Sequence, residues 1–315
     1  MPRLPLTYAS CKYDRIEALR AGEVQAEGID LNVIVFPSGR QIFDRMVGGE
    51  EFDASELSAS EFISLMGRGD CPFVAIPVFP SRVFRHGYIF VNRRSGIRTP
   101  KDLEGRKIGV NRGYTVTTGL WARSVLADEY GVDLKKITFV LSGDEHVAEY
   151  RPPANVVPIP PGKTMPDMLA SGELAAAIGV EVEHPDVKPL IPDALGAGLA
   201  ALRQRAHYPI NHTVVIRNEL IAAHPGLAAD IFQAFAESKR RYVELLKAGR
   251  IEKPTAIDRL HQRVMEIAGD PLPYGIAPNR KVLEELIRHS LSQGIIEISV
   301  AVEELFPAET HGLVG

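Results

Sequence analysis

Cysteine is scarce in this sequence, whose 315 residues contain only Cys11 and Cys71. Two cysteines cannot build a disulfide framework, and neither a Cys-x-x-Cys pair nor the Cys/His spacing of a zinc site is present. Cys11 follows the first predicted strand, where we expect a small, partly buried packing residue rather than a nucleophile. The fold must therefore be stabilised by a hydrophobic core, for which the chain is long enough.

The signatures of common cofactor and hydrolase sites are also missing. The sequence contains no G-x-G-x-x-G, Walker A, G-x-S-x-G or H-E-x-x-H motif. We therefore expect no nucleotide, flavin or pyridoxal cofactor and no resident metal ion.

Long apolar runs and an excess of positive charge are absent as well. No stretch approaches the roughly 18 to 20 residues of a membrane span, and the first residues lack the apolar core of a secretory signal. Lys and Arg number 36 against 40 Asp and Glu, whereas proteins that bind nucleic acid are usually basic. We expect a cytoplasmic protein whose partner is a small molecule, neither nucleic acid nor membrane. A homo-oligomer is compatible with the sequence.

Signals for strands and helices alternate along the first two thirds of the chain, and helices dominate the last third. The β-rich segments are 4–9, 29–36, 52–57, 73–79, 88–92, 107–110, 137–141, 174–179 and 212–217. Residues 152–166 hold six prolines, which predicts a long irregular connection. Strands that alternate with helices predict parallel pairing within the sheets.

The β-rich segments 88–92 and 212–217 stand at the borders of two such blocks, and we interpret them as crossings between two lobes. The sequence thus predicts an α/β fold, a two-lobed clamshell in which each lobe is a mixed sheet flanked by helices. Lobe one comprises residues 1–92 and 212–315, and lobe two comprises residues 93–211.

Ligands of open α/β sheets gather at the carboxyl ends of the strands, so polar residues that follow the strands are candidates for a site. Arg82 and Arg85 suit bidentate recognition of a carboxylate. His86 and His212 stand at predicted strand edges, and histidine exchanges protons near neutral pH. Glu56 lies at a strand end beside a helix N-terminus, where a carboxylate can hold a ligand hydroxyl.

The remaining candidates for substrate binding stand at other strand ends and helix starts: Asp14, Arg15, Ser58, Thr117 and Thr118. The two threonines head a helix whose free N–H groups attract an anion, although threonine is also an ordinary N-cap. Ser58 and Glu61 have the spacing of a capping box, so a purely structural role for Ser58 is the main alternative. A metal site built from the two histidines is disfavoured, because their spacing is not diagnostic.

Several segments resemble sequence motifs of known protein families. Residues 97–110, from Ile97 to Val110, resemble the strand-entry motif of type 2 periplasmic binding proteins. More specific segments are Tyr13-Asp14-Arg15, Phe52-Asp53-Ala54-Ser55-Glu56-Leu57-Ser58, Ala75-Ile76-Pro77-Val78-Phe79-Pro80-Ser81-Arg82-Val83-Phe84-Arg85-His86, His212-Thr213-Val214-Val215-Ile216 and Pro273-Tyr274-Gly275-Ile276-Ala277-Pro278-Asn279-Arg280. In this order they resemble the 4,5-dihydroxyphthalate decarboxylase family over nearly the whole chain.

One segment departs from that family. Where the family leads us to expect a Pro-Arg-x-Pro-like segment, residues 180–185 read Val-Glu-Val-Glu-His-Pro. A cation that would face an acidic substrate is thus missing, and carboxylates stand nearby. This departure affects the expected substrate more than the expected fold.

The resemblance implies a cofactor-independent decarboxylase that protonates the ring of a hydroxylated aromatic dicarboxylate in the cleft between the lobes. On this hypothesis Arg82 and Arg85 hold the second carboxylate. His86 or His212 supplies the proton, and Glu56 or the other histidine handles the hydroxyl proton. The alternative is a non-catalytic solute-binding protein that holds an aromatic carboxylate or a similar small anion in the same cleft. Chorismate dehydratase-type enzymes share this clamshell, but their motifs have no match here.

Overall fold

The computed structural model describes residues 3–145, 147 and 150–315. The strands are β1 (Leu4–Cys11), β2 (Ile29–Phe36), β3 (Ala54–Ser58), β4 (Phe73–Arg82), β5 (Ile89–Asn92), β6 (Lys107–Val110), β7 (Thr138–Leu141), β8 (Val156–Pro158), β9 (Ala176–Ile178), β10 (Val187–Pro189) and β11 (Ile210–Arg217).

The α-helices are α1 (Glu17–Arg20), α2 (Gly39–Gly49), α3 (Ala59–Met66), α4 (Thr117–Tyr130), α5 (Met165–Ser171), α6 (Ala194–Arg205), α7 (Asn218–Ala223), α8 (Leu227–Lys247), α9 (Ala256–Ala268) and α10 (Arg280–Ser292). Short 3₁₀ turns lie at Asp14–Ile16, His86–Tyr88, Arg93–Ser95, Pro100–Leu103, Leu134–Lys136, Ala277–Asn279, Val302–Leu305 and Ala308–Thr310.

The first sheet has the strand order β2-β1-β3-β11-β4. β1 pairs in parallel with β2 and β3, whereas β11 lies antiparallel between β3 and β4. The start of β11 therefore meets the carboxyl end of β3, and His212 pairs directly with Ser58. This register brings candidate residues that are 154 positions apart in the sequence to one edge of the sheet.

The second sheet has the strand order β10-β5-β9-β6-β7-β8. β6 pairs in parallel with β7 and β9, and β5 lies antiparallel between β9 and β10. Each sheet thus contains one strand that enters against the direction of its neighbours. The predicted α/β fold with a mixed sheet in each lobe is confirmed.

The strand pairing shifts one predicted boundary. The range 1–92 counts residues 89–92 with lobe one, but β5 pairs with strands of the second sheet. The chain leaves the first sheet at Arg82 and returns to it at Ile210, because the segment after β4 turns across before the next strand begins. β8 lies within the segment predicted to be irregular, at the edge of its sheet, where a proline removes no ladder hydrogen bond.

Helix α10 packs against α3 and also against α4, which follows a strand of the second sheet. In this contact Arg123 Nε donates to Gln293 Oε1 at 2.7 Å. Nearby, the indole nitrogen of Trp121 donates to the carbonyl of Ile210 at 2.8 Å. The two lobes are therefore joined by a polar seam along α4. No helix within the described residues is long and apolar enough to span a membrane.

Candidate active site

A small cavity lies where the carboxyl ends of the first-sheet strands face the N-terminus of α4. Its volume is about 80 Å³. Both lobes contribute to its wall, which consists of Phe43, Ser58, Glu61, Arg112, Thr115, Val116, Thr117, Thr118, Asn211 and His212. Of the residues predicted to bind or act on a substrate, Ser58, Thr117, Thr118 and His212 line this cavity.

At one side of the cavity, hydrogen bonds that involve hydroxyl groups join the two lobes. Ser58 Oγ lies 2.8 Å from Thr117 Oγ1, and the Ser60 N–H donates to the same threonine oxygen at 3.1 Å. Ser58 is the N-cap of α3 by position, but its side chain makes no capping hydrogen bond. The predicted capping box is therefore wrong here, because the Ser58 hydroxyl bonds across the cleft instead.

His212, which lines the cavity, forms a hydrogen-bonded pair with Glu56. His212 Nδ1 lies 2.9 Å from Glu56 Oε2, and Glu56 also accepts hydrogen bonds from the Tyr13 hydroxyl at 2.8 Å and the Cys11 N–H at 2.5 Å. Glu56 is fully buried. Burial raises the pKa of Glu56, but the charge of the His212 ring when it is positive, together with the hydrogen bonds from His212 and Cys11, outweighs burial and holds this pKa below its usual value.

The hydrogen bonds around His212 determine its tautomer. Arg85 donates to Asn211 Oδ1, so the amide nitrogen of Asn211 is the atom that lies 2.9 Å from His212 Nε2. An amide nitrogen can only donate, so Nε2 must accept and the proton must sit on Nδ1, facing Glu56. His212 is therefore oriented as a neutral imidazole whose Nε2 lone pair stands at the cavity wall.

This arrangement makes a testable prediction for Asn211. Replacing it by aspartate puts a charged acceptor beside Nε2, which favours a doubly protonated His212 ring. In NMR of the ring nitrogens we expect the wild type to show a proton bonded to Nδ1 and a lone pair on Nε2, and Asn211→Asp to show a proton on Nε2 as well. Asn211→Ala, which adds no charge, is the control; a wild-type ring with its proton on Nε2 would contradict the tautomer assignment.

Arg112 stands on the opposite side of the cavity, directly after β6. Its backbone has a φ of 68°, in the left-handed region that non-glycine residues rarely adopt. Such backbone conformations cluster at binding and catalytic sites. Arg112 and the start of α4 both line this side of the cavity, and an arginine beside a helix N-terminus favours an anion.

The residues after β4 do not line the cavity. Arg82 is buried and donates to Asn279 Oδ1 at 2.5 Å and to the carbonyl of Tyr208 at 2.6 Å. His86 is fully buried and bonds to Glu129 at 2.8 Å. Both side chains bridge distant segments of the chain, while Arg85 donates to Asn211, which lines the cavity.

The residues after β1 also lie elsewhere. Asp14 is exposed on a separate surface depression beside α8. Arg15 is buried and donates to the carbonyl of Pro80. Cys11 is half-buried, and burial together with Glu56 raises the pKa of its thiol to about 12, so the thiol is protonated at neutral pH.

Two further observations bear on the sequence predictions. Glu181 and Glu183, the carboxylates of the departing segment, are exposed and do not line the cavity. Within the described ranges, no group of three or more His, Cys, Asp or Glu side chains is placed to hold a metal ion.

Among the charged residues of the cavity wall, Arg112 and Glu61 are the ones to which the sequence analysis gave no role in the site. Arg112 could have been found, because it directly follows the strand 107–110 at a carboxyl end. Glu61 was interpreted as part of a capping box, so it was not considered as a site residue.

Solved structures identify the class to which this fold belongs. The periplasmic aliphatic sulphonate binding protein SsuA of Escherichia coli matches 96% of this chain and 92% of its own, with a TM-score of 0.55 and 13% identity. The desulfurization enzyme DSZB matches 98% of this chain and 97% of its own, with a TM-score of 0.51 and 16% identity. The fold is the periplasmic-binding-protein fold, and the predicted clamshell is confirmed.

Sequence relatives identify the family. A 4,5-dihydroxyphthalate decarboxylase of Comamonas testosteroni is 32% identical over 322 aligned positions, which cover 97% of this chain and 97% of the relative. A 4,5-dihydroxyphthalate decarboxylase of Pseudomonas putida is 36% identical over 210 positions, 62% of this chain and 81% of the relative. No protein-family model matches the chain. The chain belongs to the 4,5-dihydroxyphthalate decarboxylase family.

Proposed function

We propose that this protein decarboxylates 4,5-dihydroxyphthalate or a closely related hydroxylated aromatic dicarboxylate. The observation that carries the proposal is the cavity, which sets an oriented, neutral His212 opposite a cationic, anion-attracting wall. The full-length similarity to a decarboxylase of this name supports the choice of substrate.

The substrate itself makes the reaction feasible without an electron-accepting cofactor. A hydroxyl para to the departing carboxylate loses its proton and pushes electrons into the ring. The ring carbon that bears the carboxylate gains a proton and becomes tetrahedral. When its bond to the carboxylate breaks, carbon dioxide leaves and the electron pair restores the aromatic ring. The protein must therefore accept one proton, donate another and hold the second carboxylate.

His212 is suited to accept the hydroxyl proton, because Glu56 stabilises the positive ring that results. In the closed cavity the amide of Asn211 occupies the Nε2 lone pair, and the same amide lies 3.4 Å from Ser81 Oγ. A substrate hydroxyl can thus replace the amide at Nε2. Arg112 and the N-terminus of α4 hold the second carboxylate, the role that the sequence analysis gave to Arg82 and Arg85.

The cavity must enlarge before a substrate can enter. About 80 Å³ is available, whereas a cavity of about 150 Å³ is known to hold one benzene molecule. Hydrogen bonds that join Ser58 and Ser60 to Thr117 close the gap. We infer that the lobes separate to admit the substrate, and that closure around it then excludes water.

The decisive experiment is a reaction in heavy water followed by proton NMR and carbon dioxide detection. We expect release of carbon dioxide from 4,5-dihydroxyphthalate and a 3,4-dihydroxybenzoate that carries one deuterium at the carbon that lost the carboxylate. Binding of the diacid with no carbon dioxide release would disprove the decarboxylase and leave a solute-binding protein.

A further inference from the structure

We propose that Glu61 is the acid that protonates the ring carbon from which carbon dioxide leaves. This role rests on the proposed decarboxylation, and it completes the set of proton transfers that the reaction needs. His212 accepts a proton in that scheme, so a second group must donate one.

The position of Glu61 follows from the packing of α3. This helix is buried on almost every side, and Glu61 in its first turn is only 2% exposed. Glu61 nevertheless lines the cavity whose wall also contains His212 and Arg112. Because Glu61, Arg112 and His212 line one cavity, a ring bound between the lobes and held by Arg112 would face both Glu61 and His212.

The surroundings of Glu61 favour the protonated acid. Burial is the largest influence and raises the pKa of Glu61 to about 8, with further contributions from Asp44 and Glu145. Arg40, which lies on α2 with Asp44, acts in the opposite direction.

Other described elements also face Glu61. The cavity itself presents Arg112 and His212, and α10 packs on α3 through the apolar Leu283 and Leu286. With its pKa raised to about 8, the Glu61 carboxyl at neutral pH still holds the proton that it would give.

The proton and electron balance closes with this assignment. The O–H bond of Glu61 breaks, its hydrogen joins the ring carbon, and the ring supplies the electron pair while His212 takes the hydroxyl proton. After carbon dioxide leaves, His212 returns its proton to the oxygen, and the Glu61 carboxylate regains one from water. The net change is that a carboxylate and one proton become a C–H bond and carbon dioxide.

Glu61→Gln tests the proposal, because glutamine keeps the shape and neutrality of the protonated acid but cannot donate its proton to carbon. We expect turnover of 4,5-dihydroxyphthalate to fall by about 10² to 10⁴-fold. Binding of phthalate, which lacks the hydroxyls, should stay nearly unchanged in calorimetry. Glu61→Asp, which keeps the acid, should recover part of the lost rate.

A second readout separates proton donation from a structural role. Wild-type activity should decline as the pH rises past about 8, where Glu61 loses its proton. Asp44 and Arg40 lie half exposed on α2, paired with each other at 3.2 Å and outside the cavity wall. Asp44→Asn should move this alkaline limb to lower pH and Arg40→Gln to higher pH, each by roughly a few tenths of a pH unit because solvent screens these charges.

The outcomes distinguish this proposal from the one on which it rests. If the wild type releases carbon dioxide but Glu61→Gln retains more than about a tenth of the rate, Glu61 is not the donor and the decarboxylase stands. An alkaline limb that survives in Glu61→Gln would have the same meaning. If the wild type releases no carbon dioxide, both proposals fall.

Discussion

Replacing His212 by glutamine should lower the turnover of 4,5-dihydroxyphthalate by about 10² to 10⁴-fold, the usual contribution of one general acid or base. Glutamine can still form a hydrogen bond at this place, but it cannot accept the proton of the substrate hydroxyl. Glu56 would then lie opposite a group that never becomes positive. Binding of phthalate should stay close to that of the wild type, because the anion-binding wall is intact.

His86→Gln provides the matched control for this variant. His86 is buried against Glu129 and does not line the cavity, so its loss should reduce stability more than turnover. Rates and phthalate affinities can be measured by product chromatography and calorimetry, with thermal unfolding as the stability reference. Equal losses of turnover in the two histidine variants at equal stability would contradict the assignment of His212.

Arg112→Gln should weaken the binding of phthalate by about one to two orders of magnitude. A hydrogen bond to a charged group contributes roughly 1.5 to 3 kcal/mol, and Arg112 is the arginine among the described residues that line the cavity. Calorimetry at low salt measures the change. Since Arg112 holds a left-handed backbone, Arg112→Gly should lose the same affinity while relieving strain, so its melting temperature should not fall.

Arg82→Gln distinguishes this assignment from the one that the sequence suggested. Arg82 bonds to Asn279 and to the carbonyl of Tyr208, and its removal leaves buried partners unsatisfied. We expect a loss of stability on the order of 1.5 to 3 kcal/mol, with phthalate affinity retained in the folded protein. If Arg82→Gln weakens binding and Arg112→Gln does not, the carboxylate binds on the other side of the cleft.

The sequence predicted the main strands well, because their apolar runs and the helices between them reflect local periodicity. It missed α6, which contains Gly196 and Gly198 in a sequence of weak helical signal. Gly198 is explained by tertiary packing, since a Cβ there would lie 2.6 Å from the ring of Phe84. Local preference gives no sign of such a contact.

The candidate site was also predicted only in part, because local sequence does not show tertiary contacts. The ends of β3 and β11 were recognised, and antiparallel pairing brings Glu56, Ser58 and His212 together. The direction of the Arg82 side chain depends on Asn279, which is 197 residues away in the sequence. A list of residues that follow strands cannot show which of them turn inward to distant partners. Recognising Glu61 as a site residue required knowledge that α3 is buried on nearly all sides.

Trp121 provides an optical signal for the junction of the lobes. It is the single tryptophan of the sequence, and its indole is fully buried, with its nitrogen bonded to the carbonyl of Ile210 on β11. Any separation of α4 from β11 breaks this bond and lets water reach the ring. The emission wavelength of the unlabelled protein would then shift to the red. A rapid-mixing trace with phthalate would follow the opening and closing of the clamshell through one residue.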